Sequence, residues 1–301
     1  EIYANSYIYD TTEGENLSEK IKNFINALIG NNPELKYLLI LGDENSFPPI
    51  YINNNIPSDD FYAQVDSYIE PPLISIGRIP TSELEKVQRF TDKLSDFLTN
   101  PTIGAWRDKV LLIADDENKN GANEACEIKH TLNSDILYDI LSPYMDVKTL
   151  YGIEYEATTN SDGLYHEELN QDIIDEINNG IALINYIGHG DQKTLSAEKI
   201  IDMERDMGQI SIDDGKLGLW IVGTCKFGEY DESECMAEEL ITDQDASIGV
   251  ISTVRSVTSS YNIDFLEDLF IEYSNHFLDN TNPIRIGDIM KASKTNSYNE
   301  N

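Results

Sequence analysis

The chain has 301 residues, enough for one large or two modest domains, and carries 21 basic against 55 acidic side chains for a formal charge of −34. Phosphate contact requires a basic face, so this balance argues against nucleic-acid binding; it describes a solvated, self-repelling surface, with cation binding as the functional alternative. No apolar run approaches the roughly 20 residues that span a bilayer.

Asn16 and Glu19 have capping-box spacing ahead of a helical stripe of Leu17, Ile21, Phe24, Ile25 and Leu28, which Gly30 stops. Residues 36–41 predict a strand ending at Gly42-Asp43, the Pro- and Asn-rich stretch 47–60 a long loop, and residues 73–76 a short strand. Ser82 and Glu85 open a helix with Leu84, Val87, Phe90, Leu94 and Phe97 on its core face, and Pro101 marks its end. That proline is the expected boundary between a smaller N-terminal α/β subdomain, residues 1–100, and a second subdomain, residues 101–301. Strands follow at 109–114, 147–150, 181–187, 217–222 and 247–252 with amphipathic helices between them, an alternation that predicts a parallel sheet covered on both faces.

Two of these strands end on reactive side chains. Residues 181–187 lead into Gly188-His189-Gly190, and residues 217–222 into Gly223-Thr224-Cys225. Ligands collect at the carboxyl ends of parallel strands, so an imidazole and a thiol are brought to one crevice. An adjacent imidazolium lowers a thiol pKa from about 8.5 into the range where thiolate forms at neutral pH. The amides of Gly190 and Cys225 are then the expected oxyanion donors. His130 and His276 fall in predicted helices and His166 near a helix start, so they compete weakly as bases. Cys235 opens a predicted helix and reads as a packing residue; a Cys126–Cys235 bridge would also leave Cys225 free.

Around Tyr186-Ile187-Gly188-His189-Gly190 and Gly223-Thr224-Cys225-Lys226-Phe227-Gly228 the chain resembles the gingipain-type cysteine peptidases of the caspase-like clan. Residues 39–43, 76–80 and 251–255 carry the likeness through most of the chain. The resemblance implies an α/β, caspase-like parallel sheet with helices on both faces, preceded by the smaller α/β subdomain. It also implies His189 as general base and Cys225 as nucleophile. Thr224 to Phe227, Tyr230-Asp231 and Thr253-Val254-Arg255 look most like the sortases of the type IX secretion system. That likeness implies an extracellular or outer-membrane-surface enzyme removing C-terminal sorting domains, with secretion-system components as partners. The chain begins at Glu1 and lacks the immunoglobulin-like domain that usually follows in gingipains, so it is expected to be a fragment.

The acidic loop from Asp115 to Gly121 invites two readings. By resemblance, Asp116 or Glu117 orients the catalytic histidine. By spacing, Asp116, Asn118, Asn120, Gly121 and Glu127 fit a twelve-residue calcium loop, although a strand replaces the usual incoming helix. Glu127 also resembles the acidic floor of the S1 pocket of Arg-specific gingipains, a role that competes with calcium ligation. The expected function is a cysteine endopeptidase or transpeptidase acting on protein or peptide. The alternative is a non-catalytic caspase-like peptide-binding domain; a nucleotide-binding domain ranks last, because no strand is followed by a Gly-rich phosphate loop.

Overall fold

The computed structural model describes residues 1–53, 55–64, 71–116, 128–160, 163–212, 215–278 and 285–299. By contact the chain divides into two compact units, Glu1–Glu83 with Ile271–Asn301, and Leu84–Phe270. This differs from a boundary after residue 100. The helix before Pro101 packs with the second unit, where Lys86 meets Glu238 at 3.5 Å and Lys93 Nζ donates to the carbonyls of Ile241 and Asp243. The C-terminal stretch returns to the first unit, where Lys294 pairs with Asp60 at 2.7 Å and Tyr37 donates to Asp288. Local punctuation such as Pro101 carries no trace of such long-range returns.

In the first unit, helix α1 (Leu17–Asn31) opens as its capping residues dictate: Asn16 Oδ1 accepts the Glu19 amide at 2.9 Å. The Glu19 carboxylate reaches back to the Glu15 amide at 2.6 Å. Strand β1 (Tyr37–Leu41) pairs in parallel with β2 (Ser75–Ile79). The second strand runs beyond the predicted 73–76, through Gly77 and Arg78. Arg78 is tolerated there because its guanidinium forks onto Asp59 at 2.6 and 2.7 Å. The expected long loop contains a small antiparallel ladder, Ile50–Ile52 against Ile56–Ser58. Ile8, Ile21, Ile25, Ile40, Tyr62 and Ile74 form this unit's core.

The second unit is built on five parallel strands. Helix α2 (Leu84–Thr99) leads into β3 (Lys109–Ala114), α3 (Lys129–Leu141), β4 (Asp146–Tyr151), α4 (Glu167–Asn179) and β5 (Leu183–Ile187). Then come β6 (Leu219–Gly223), α5 (Met236–Thr242), β7 (Gly249–Ser252) and α6 (Ser259–Leu278). The spatial order is β7-β6-β5-β3-β4, so the winding reverses between β3 and β5. Every residue of β5 is buried, as expected for a strand with both faces covered. One face carries Leu111, Ile113, Ile184, Tyr186, Trp220 and Val222 against Leu169, Ile173 and Ile177 of α4 and Leu240 of α5. Gly223 points to the other face, where an added Cβ would meet Asn262 and Leu266 of α6 at 2.8 Å. On α2, Phe90 and Lys93 are buried while Leu84 is 80% exposed, so the inward face lies nearer the helix centre than the apolar stripe predicts.

Candidate active site

Strand register sets the two reactive residues at one height. Gly223 of β6 pairs with Ile187 of β5, and the Gly188 amide bonds the Gly223 carbonyl at 3.4 Å, so His189 and Cys225 each lie two residues beyond the same rung. Both are half-buried. The switch point between β3 and β5 lies beside them, which is where open α/β sheets gather ligands.

The His189 backbone is pinned on both sides. Its amide donates to Asp115 Oδ2 at 3.0 Å, and its carbonyl accepts from Tyr186 Oη at 2.6 Å and from the Ser196 amide at 2.8 Å. Gly190 forms an antiparallel bridge with Leu195, flanked by the Ser196–His189 and Asp191–Thr194 bonds. In such a non-hydrogen-bonded pair the Gly190 amide faces away from Leu195. An added Cβ on Gly190 would come within 2.7 Å of the Thr194 carbonyl and 2.8 Å of Thr224 Oγ1, so glycine is required for the His189 turn to lie against the Cys225 turn. A cleft of about 570 Å³ opens beside His189 and Gly190, walled by Lys193, Thr194, Lys199 and Glu204; Cys225 is not among its lining residues.

The Cys225 turn has its own support. Cys225 Sγ lies 3.6 Å from the Val257 carbonyl, and Asn262 Nδ2 donates to the Gly223 carbonyl at 2.7 Å. Lys226, with φ 60°, sends its amide to the Arg255 carbonyl at 3.3 Å, and the Thr253 hydroxyl donates to the Thr224 carbonyl. Arg255 grips Asp231 through two bonds of 2.8 Å and approaches buried Glu229 at 3.4 Å, fastening the residues after Cys225 to those after β7. Cys235 is a buried thiol pushed up to about 11 by burial, in keeping with a packing role.

The acids are arranged differently from the expectation. Asp115, the first residue beyond β3, holds His189, whereas Asp116 turns to His166, with Nε2 to Oδ2 at 3.4 Å. Burial pushes the Asp115 carboxyl up to about 7, and the nearby Glu198 and Asp116 carboxylates add to this, against the His189 amide. Chiefly through Asp116, His166 is shifted above the ordinary histidine value.

His130 is a further departure. It lies on α3 as expected, but its ring stands edge-on to His189 with centroids 5.2 Å apart at 77°. One nitrogen of each ring and one Asp115 oxygen lie within 4.8 Å of one another. A histidine among Leu and Ile on a helix gives no sequence signal of that role. Glu117, Asn118, Asn120, Gly121, Cys126 and Glu127 lie outside the described residues. Of the expected calcium ligands only Asp116 is described, and its carboxylate faces an imidazole.

The family model for peptidase family C25 matches residues 1–301. The chain belongs to this family, that of the gingipain-type cysteine peptidases. Over 164 residues, 53% of the chain, it is 29% identical to gingipain R2 and to gingipain R1 of Porphyromonas gingivalis. It spans only 20% and 15% of the length of those relatives. The crystal structure of the Arg-specific cysteine proteinase gingipain R (RgpB) matches 93% of the chain and 63% of its own, with TM-score 0.75 at 19% identity. The complex of Porphyromonas gingivalis RgpB pro- and mature domains matches 100% of the chain and 67% of its own, with TM-score 0.77 at 18% identity. The α/β, caspase-like sheet is therefore established for this C25 member.

Proposed function

We propose that this C25 chain is a cysteine endopeptidase in which Cys225 and His189 form the reacting pair. The observation that carries the reading is the shared rung Gly223 against Ile187, two residues before Cys225 and His189, at the carboxyl ends of neighbouring parallel strands. The Cys225 thiolate attacks the scissile carbonyl carbon, and the amides of Gly190 and Cys225 receive the oxyanion. As the C–N bond breaks, His189 gives its proton to the leaving amine, leaving a thioester. His189 then takes a proton from water, which attacks the thioester and releases the acid and the thiol. Asp115 acts as a positioning residue through the His189 amide.

Sortase chemistry shares every step to the thioester, after which an amine-bearing acceptor replaces water. Likeness to the type IX sortases around Cys225 and Arg255 supports that extension, together with action on secreted proteins at the outer-membrane surface and secretion-system partners. Glu127 remains the proposed S1 acid or the last ligand of a calcium loop.

The test is labelling with peptidyl electrophiles bearing Arg, Ala or Thr at P1, followed by mass mapping. Adduct at Cys225 that is lost in His189→Ala supports the reading, and preference for Arg supports the S1 role of Glu127. A folded chain that stays unlabelled, or cleavage activity that survives Cys225→Ala, refutes it. Product ligated to an added amine acceptor would extend the reading to transpeptidation.

A further inference from the structure

Peptide cleavage divides a substrate into two halves, and the two reacting groups sort them. The thiolate keeps the acyl half, whereas the acid that protonates the departing amine must stand beside the other half. The cleft of about 570 Å³ is lined by His189, Gly190 and Asp191 and, among the described residues, not by Cys225. Its volume falls within the roughly 300–1,000 Å³ usual for ligand clefts. Charge on its wall is unevenly compensated. Lys193 pairs with Glu204 and Lys199 with Asp202, each at 3.3 Å. Asp191 differs, because no described basic side chain pairs with it. Its Oδ1 accepts the Lys193 and Thr194 amides at 2.8 Å each and the Thr194 hydroxyl at 3.1 Å. Those bonds fix the carboxylate in the cleft wall, two residues beyond His189, without neutralising it.

We propose that this cleft receives the amine-side half of the substrate and that Asp191 selects a basic residue there, Lys or Arg, close after the scissile bond. The inference rests on the peptidase reading of Cys225 and His189 and adds to it the class of residue taken on the leaving side. Two observations agree on the sign of the preference. Within the cleft the two lysines are each matched by an acid, which leaves the Asp191 charge over. Around it, a chain of formal charge −34 sets up a field that draws cationic segments and repels acidic ones. The site is separate from Glu127, whose proposed S1 role concerns the residue on the acyl side of the bond.

The experiment measures kcat/KM for two peptides with the same acyl half, bearing Lys or Glu as the second residue after the cleaved bond. Wild-type chain and Asp191→Asn are compared at about 50 mM and about 1 M salt, where the screening length shrinks to about 3 Å. The Asn carboxamide oxygen can still accept the two amides, so the variant removes charge and keeps the turn. The expected result is a Lys-over-Glu preference of at least about tenfold in the wild-type chain at low salt. That ratio should shrink at high salt and fall to within about threefold in Asp191→Asn. The same exchange made two residues before the bond should give a ratio that Asp191→Asn leaves alone. Equal kcat/KM for the two peptides in the wild-type chain, or an undiminished preference in Asp191→Asn, overturns the assignment while labelling at Cys225 upholds the peptidase reading. A chain that takes no label at Cys225 overturns both. Should Asp191→Asn fail to fold, Glu204→Gln, which releases Lys193 into the cleft, must lower the ratio in its place, and an unchanged ratio there also overturns the proposal.

Discussion

Gly190→Ala is the substitution whose consequence can be worked most directly. A Cβ there meets the Thr194 carbonyl at 2.7 Å, and Thr224 Oγ1 and Cγ2 at 2.8 and 3.0 Å. The first of these is backbone, bonded by the Asp191 amide at 3.1 Å, so side-chain rotation relieves only part of the clash. Overpacking of this kind costs about 1–3 kcal/mol, equivalent to a melting-point drop of roughly 2–12 °C for a unit of this size. The larger effect falls on activity. Relief requires the His189 turn and the Cys225 turn to separate, and misplacing one oxyanion donor lowers kcat by about 10²–10³. The assay compares kcat/KM for a peptide substrate with the rate of Cys225 alkylation by iodoacetamide. Cleavage should fall by about two orders of magnitude while alkylation stays within a few-fold, because thiolate formation does not need the oxyanion donor. Gly190→Ala/Thr224→Ala should recover only part of the loss. Wild-type kcat/KM in Gly190→Ala would refute both the close approach of the two turns and the role of the Gly190 amide.

His130→Phe keeps the edge-on ring against His189 and removes its nitrogens, so the pH profile of kcat/KM should shift on the limb that reports the base, with little change in melting temperature; an unchanged profile would exclude coupling between the two imidazoles. Burial pushes Lys93 down to about 8 from its ordinary 10.5. Between those values the unfolded chain binds the extra proton, so stability should rise with pH across that window by about 3 kcal/mol, with the full penalty standing below it. Urea melts at the two ends of the window should show that rise disappear in Lys93→Met, and an identical rise in the variant would discount the buried ammonium. Arg255→Lys cannot reproduce the paired bonds to Asp231 and should lower both the melting temperature and kcat/KM, by roughly tenfold or more for the latter; activity at wild-type level would mean that the turn after Cys225 needs no such fastening.

The parts of the fold that could be read from sequence are those written in short runs. The apolar stretches ending at Gly188 and Gly223 are strands, and their register sets His189 and Cys225 each two residues beyond one rung. What escaped depends on backbone direction and on residues distant in sequence. Asp115 and Asp116 are indistinguishable as letters; their placement beyond β3 gives the His189 amide to one and the His166 ring to the other. His130 and His166 were discounted because neither follows a strand, yet α3 brings one edge-on to His189 and the turn before α4 brings the other to Asp116. Glu198 belongs to no motif, in a turn where Ser196 and Lys199 both adopt positive φ. The division into two compact units likewise follows side chains whose partners lie more than a hundred positions away, such as Lys93 on the carbonyl of Ile241.

The strand order β7-β6-β5-β3-β4 also bears on when the chain becomes reactive. Asp115, His189 and Cys225 belong to segments separated by other strands and helices in the chain, and β5 must lie between β3 and β6 before they can converge. Non-local parallel pairing of this kind forms slowly, because the intervening loops must close before any contact offsets their entropy. A chain still emerging from the ribosome would therefore hold His189 with no nucleophile beside it until residue 225 has been made and β6 has docked. Competence to cleave arrives with completion of the central sheet, so the topology itself delays the onset of proteolysis until the sheet is built.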